Sequence, residues 1–200
     1  MKKIKLILLL IVFNATQIAF ATECSNVAEK LYSLAEADVR ITSARGELML
    51  GDLSLESQLK SVRKENSESL KKIVKVCGWP TEKKYGEAAA AAAWLVVQHA
   101  DDDPGFQSNI LELLSPMVKN GEESPVRFAY LQDRTELKRT GKQIYGTQLL
   151  VDAEGISLPL REIDSIEAVN KRRAEIGLET VEDYVARLMK NRAMKDAAME

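Results

Sequence analysis

The chain has 200 residues, with 28 basic and 30 acidic side chains, one histidine, two cysteines and 46% hydrophobic residues, for a formal charge of −2. That length supports a real hydrophobic core, and the mildly acidic balance argues against binding to nucleic acid or anionic membranes. A single histidine excludes a catalytic zinc centre of the multi-histidine kind.

Residues 1–21 open with Lys2, Lys3 and Lys5, continue through an apolar run from Ile4 to Phe13 and end in Ala19-Phe20-Ala21. This pattern predicts a secretory signal peptide that is cleaved on export. The apolar run falls short of the ~20 residues of a membrane span, and no later stretch approaches that length. Glu23 directly before Cys24 argues against a lipid anchor. Cleavage removes three of the 28 basic residues and none of the 30 acidic ones, leaving a formal charge of −5. The expected product is a soluble periplasmic or secreted protein. It comprises a single mainly α, multi-helix domain over residues 22–190 and a polar tail over 191–200.

From Asn26 to Leu48, Val27, Leu31, Leu34, Ile41 and Leu48 recur at helical spacing, with Asp38 and Arg45 lying on the apolar stripe itself. After a break from Gly46 to Gly51, a second stripe carries Leu55, Leu59, Val62, Ile73 and Cys77, with Asn66 as its polar exception. The two read as an antiparallel helical hairpin. Folding about residue 50 sets Cys24 opposite residue 76 and Asp38 opposite residue 62, which predicts a Cys24–Cys77 disulfide and an Asp38–Asn66 pair. That pair either fixes helix register or lines a pocket.

Gly78-Trp79-Pro80-Thr81 ends the hairpin. The alanine-rich stretch from Ala88 then leads through Trp94-Leu95-Val96-Val97 to Gln98 and His99, a helix apolar nearly all round and so central. Asp103-Pro104 starts a helix with Phe106, Ile110, Leu113 and Met117, interrupted at Ser115-Pro116. Ser124-Pro125 starts another, with Tyr130, Asp133 and Arg134 on one face. Residues 143–160 alternate in a way that predicts a small β-hairpin with Pro159 at an edge. In it Gly146 marks the close approach of a backbone or ligand. Asp164 with Glu167 opens a helix bearing Asn170 and Arg173 that ends at Gly177-Leu178, and Thr180 with Asp183 opens the last helix.

Several spaced blocks stand out: Gly78 to Thr81, Ala92 to Asp101, Asp103 to Gln107, Ala129 to Arg134, Tyr145 to Gln148 and Val169 to Leu178. In this order they resemble an uncharacterised bacterial family of unknown function, over roughly Ala35 to Tyr184. The resemblance implies no activity.

Phosphate loops, nucleophile elbows, C-x-x-C pairs and H-E-x-x-H helices are absent. No cofactor or metal is expected, since Asp101-Asp102-Asp103 lacks the spacing of a calcium loop. Three functional readings remain. A binding or interaction module of the cell envelope would gather Trp94, Gln98, His99, Asp101, Tyr130, Asp133, Arg134, Tyr145, Gln148, Asn170 and Arg173 around a pocket. Its ligand would be a small anion, a peptide or a cell-wall fragment. A structural network would use the same residues to lock the β-hairpin onto the helices. A hydrolase-like enzyme would use His99 as general base, oriented by Asp101 or Asp133, with Arg134 or Arg173 holding an anionic group.

Overall fold

A computed structural model describes residues 24–47, 53–152, 155–157 and 163–197. The expected signal peptide, most of the Gly46 to Gly51 break, the side chain of Arg45 and the expected edge residue Pro159 lie outside the described residues. The protein is mainly helical: eight helices and two three-residue strands occur among the described residues, in two compact units, 1–102 and 103–200. None of these helices is long and apolar enough to cross a membrane.

In the first unit, α1 (Val27–Glu47) and α2 (Leu53–Cys77) form the hairpin, followed by the four-residue α3 (Glu82–Tyr85) and α4 (Glu87–Gln98). Helix α1 packs on both α2 and α4, and α4 also meets α2 and α3. Val27 and Leu31 of α1, Leu59, Leu70 and Ile73 of α2, and Ala89, Ala93, Val96 and Val97 of α4 are buried together in the core of this unit. The alanines explain the geometry, because a face without bulky side chains lets a second helix axis come close. Trp79 and Pro80 are buried at the elbow before α3, whose N-cap Thr81 accepts a hydrogen bond from the Lys84 amide. Lys84 in turn donates through Nζ to the Cys77 carbonyl at 2.7 Å, closing the end of α2.

Cys24 and Cys77 form a disulfide with their Cα atoms 5.7 Å apart. The expected Asp38–Asn66 pair does not form. Asn66 donates instead to the Leu34 carbonyl at 2.9 Å, one turn before Asp38, and Asp38 takes other partners.

In the second unit, α5 (Pro104–Lys119) packs against α6 (Pro125–Thr140), and α7 (Ile166–Glu175) against α8 (Val181–Ala197). The helix starts follow local chemistry. Asp103 accepts from the Phe106 amide and Ser124 from the Arg127 amide, each followed by proline in the first turn. Helix α5 runs through Pro116 without the expected interruption. Helix α7 is capped by Ser165, which accepts from the Ala168 amide, one residue later than the expected Asp164 start. It ends in a Schellman arrangement, with Leu178 N–H on the Arg173 carbonyl and Gly177 at φ 77°. Thr180 and Asp183 open α8, which continues to Ala197 through most of the expected polar tail.

The β-hairpin expected over residues 143–160 is not supported. Residues 143–149 run as an irregular loop, because their amides turn toward a buried carboxylate rather than a neighbouring strand. Among the described residues, extended pairing is limited to Leu150–Asp152 against Gly155–Ser157.

The disulfide spans 53 residues of sequence. Replacing both Cys24 and Cys77 by serine is expected to lower the unfolding free energy by about 4 kcal/mol in the chain-entropy model, measured by urea unfolding. Alkylation of unreduced, denatured wild type should label neither cysteine.

Candidate functional site

Four of the sequence-predicted site residues, Trp94, Gln98, His99 and Asp101, belong to the first unit, and the other seven to the second. In the second unit the arrangement is built on Asp133, whose side chain is wholly buried on α6. Its Oδ1 accepts from the amides of Ile144 at 2.7 Å and Tyr145 at 3.0 Å. Its Oδ2 accepts from the Thr147 amide at 2.8 Å and the Thr147 hydroxyl at 2.9 Å. The loop can wrap this way because Gly146 sits at φ 63°, a conformation that favours glycine. Gly146 therefore serves the turn itself.

The carbonyls of the same loop face the other way, toward cations. Arg172 Nε donates to the Ile144 carbonyl at 2.9 Å and Arg173 Nη1 to the Tyr145 carbonyl at 2.8 Å. Tyr184 donates through its hydroxyl to the Thr147 carbonyl, and the guanidiniums of Arg173 and Arg187 lie 5.2 and 5.3 Å from the centre of its ring. Burial, reinforced by Tyr130, pushes the Tyr184 phenol well above its usual range. Burial pulls the Arg173 guanidinium below its usual value, opposed by Tyr130, Tyr184, Glu179 and Asp133. Arg134 donates to Gln148, Gln148 and Gln143 exchange backbone and side-chain hydrogen bonds, and Asn170 joins Glu182 to the Val181 amide. The structure thus brings Tyr130, Asp133, Arg134, Tyr145, Gln148 and Arg173 into one network around the loop. Asn170 lies apart, fastening α7 to α8.

The first unit holds a different arrangement. Helix α4 stops at His99, whose backbone leaves helical geometry at φ −95° and ψ 2°. This places its imidazole Nδ1 2.6 Å from Oδ2 of Asp38 on α1. Arg63 on α2 donates through Nε to Oδ1 of the same carboxylate at 3.2 Å. Asp38 retains only 1% of its exposure. Burial pushes its carboxyl up, but the hydrogen bond from His99, the charge of that ring in its protonated form, and then Arg63 outweigh this and hold it below the ordinary carboxylate value. The carboxylate can only accept, so the Nδ1 proton is assigned to the His99 side of this bond, and Nε2 carries the lone pair of the neutral ring. Nε2 has no hydrogen-bond partner among the described residues, and the His99 side chain keeps 23% of its exposure.

The carboxylate that orients His99 is therefore Asp38, in place of the expected Asp101 or Asp133. Asp133 is consumed by the loop. Arg63 is the residue that sequence reasoning missed, although it stands next to residue 62, the position set opposite Asp38 by folding about residue 50. Among the described residues no group of three His, Cys, Asp or Glu is placed to hold a metal ion.

Two outcomes follow. Asp133→Asn replaces an acceptor oxygen with an NH2 group facing amide donors, and should cost about 3 kcal/mol of stability in urea unfolding. A loss below about 1 kcal/mol would mean that the loop does not depend on this carboxylate. For Asp38 the folded-state value is depressed, so its contribution is complete above its unfolded value near pH ~4 and is lost as pH falls through the lower folded value. Wild-type stability should therefore fall more steeply below pH ~4 than that of Asp38→Asn, as followed by urea unfolding across pH.

No curated protein and no solved structure matches the chain. Residues 25–196 match the model of a family described only as a family of unknown function, DUF6624. The match covers both units, and the chain belongs to that family.

Proposed function

We propose that this chain is an exported binding protein of the cell envelope, whose ligand-facing group is the His99 imidazole held by Asp38. The observation that carries the reading is the 2.6 Å contact between Nδ1 and the buried carboxylate, which fixes the ring and leaves Nε2 as an outward acceptor for a ligand O–H or N–H. Asp133, Gln148 and Asn170 of the second unit support it by contrast, because their polar groups are engaged with neighbouring backbone and side chains. Export is supported by the Cys24–Cys77 disulfide, since such bonds persist in oxidising compartments, and by the basic and apolar pattern of residues 1–21.

A second reading, a hydrolase-like general base, is favoured by the same contact. A carboxylate on Nδ1 orients a histidine and stabilises the imidazolium formed when Nε2 takes a proton. Binding is preferred because it needs only the fixed ring and its outward nitrogen.

The test uses the fact that the chain has one histidine, so its ring resonances are unambiguous. In His99→Gln the side-chain amide still offers a donor to Asp38 but lacks the outward ring nitrogen, so stability should change by less than about 1 kcal/mol. Hydroxylated small molecules that shift the wild-type Nε2 resonance should stabilise wild type by about 2.7 kcal/mol at a hundredfold excess over Kd, and leave His99→Gln unaffected. Loss of about 2 kcal/mol or more in His99→Gln, with no compound moving the resonance, would leave the histidine a purely structural role.

A further inference from the structure

Arg63 spends only part of its guanidinium on Asp38. The contact is made by Nε, and the two terminal nitrogens have no hydrogen-bond partner among the described residues. The side chain keeps 20% of its exposure, comparable with the 23% of His99. Both groups meet opposite oxygens of one carboxylate, which gathers a guanidinium and an imidazole around the same buried side chain. The remaining edge of Arg63, formed by Nη1 and Nη2, is the fork that matches a carboxylate or phosphate in two parallel hydrogen bonds.

The two groups ask for opposite things. Arg63 offers donors and needs an acceptor. The neutral form of His99, with its proton on Nδ1, offers an acceptor and needs a donor. A plain oxyanion satisfies the first and sets a lone pair against the second. A neutral alcohol satisfies the second and leaves the guanidinium edge to water.

We propose that Arg63 and His99 are two halves of one subsite, bridged by Asp38, for a ligand that carries an anionic oxygen group with an O–H donor on or next to it. Hydrogen phosphate and a 2-hydroxy carboxylate are the simplest examples of this chemistry. The oxyanion lies on the Arg63 fork and the hydroxyl donates to His99 Nε2. This deepens the binding function proposed above, and rests on its reading of His99 as the ligand-facing group.

Matched probes test it on the wild-type protein, at neutral pH and constant ionic strength. Inorganic phosphate is compared with sulfate, and lactate with propanoate, each followed by thermal unfolding and by the His99 ring resonances. Within each pair the charged group is alike, and only the first member carries the hydroxyl donor. Phosphate or lactate should move the Nε2 resonance saturably, and its partner should bind roughly tenfold or more weakly. Which pair responds separates a phosphate ligand from a hydroxy acid. Arg63→Gln should abolish the anion response. Arg63→Lys, which keeps the charge without the fork, should recover only part of it. Circular dichroism checks that both variants fold, and the probe comparison needs no variant at all.

Sulfate binding as tightly as phosphate, with propanoate as tight as lactate, would overturn the paired donor and acceptor site. So would an anion response unchanged in Arg63→Gln. If neutral hydroxylated compounds move the His99 resonance and none of the four anions does, the subsite falls while the binding function of His99 stands. If nothing moves that resonance, both fall.

Discussion

A carboxylate taken out of water must be given donors, and two buried aspartates of this chain meet that requirement in different ways. Asp133 is satisfied by backbone. Three amides and one hydroxyl of residues 144–147 converge on it, while the carbonyls of Ile144 and Tyr145 face Arg172 and Arg173. The peptide groups of the loop therefore lie between an anion and two cations with their dipoles aligned to both. The network nevertheless leaves a donor over: Nη2 of the wholly buried Arg173 has no hydrogen-bond partner among the described residues. Truncating Asp133 would leave three amides of the loop without their acceptor, so the loop and α6 hold their places together.

Asp38 is satisfied by side chains, and that difference gives the two aspartates different prospects. Peptide amides that bind Asp133 have nothing further to offer a ligand. Arg63 and His99 each meet Asp38 with one nitrogen and keep others that make no hydrogen bond among the described residues. A buried ion pair of this kind is weak evidence for stability, because desolvation offsets much of the attraction. What it does secure is orientation: a histidine at the end of α4 with its Nδ1 proton tied down has one chemical direction left.

Much of the helical frame was legible in the sequence because it rests on local chemistry. The N-caps Asp103 and Ser124, each followed by proline, the Gly177 ending and the Thr180 start depend on residues within one turn. The antiparallel hairpin followed from apolar periodicity and its fold point. The loop at residues 143–149 was misread because its aromatic and β-branched residues alternate like a strand. Their conformation is decided by a carboxylate 11 to 14 residues away, which no local period reveals. Asp38 was visible as a charge on an apolar stripe, but Asn66 drew the pairing because it was the polar exception on the facing stripe. Arg63 lies off that stripe, where a cation ordinarily reads as solvated surface, and only the fold-point arithmetic pointed toward it.

The same arithmetic connects the covalent and the electrostatic constraints of the first unit. Asp38 follows Cys24 by 14 residues, and Arg63 precedes Cys77 by 14, so the register that joins the cysteines also joins the charges. At 1.5 Å per residue the two links lie about 21 Å apart along the hairpin, nearly four turns. Sliding one helix by a single residue would rotate its side chains by about 100°, carrying Arg63 away from Asp38. The disulfide admits no such slide, and neither does the bond from Asn66 to the Leu34 carbonyl between the two links. The hairpin thus reaches α4 with its carboxylate already set in place, and His99 needs only the end of its own helix to complete the cluster.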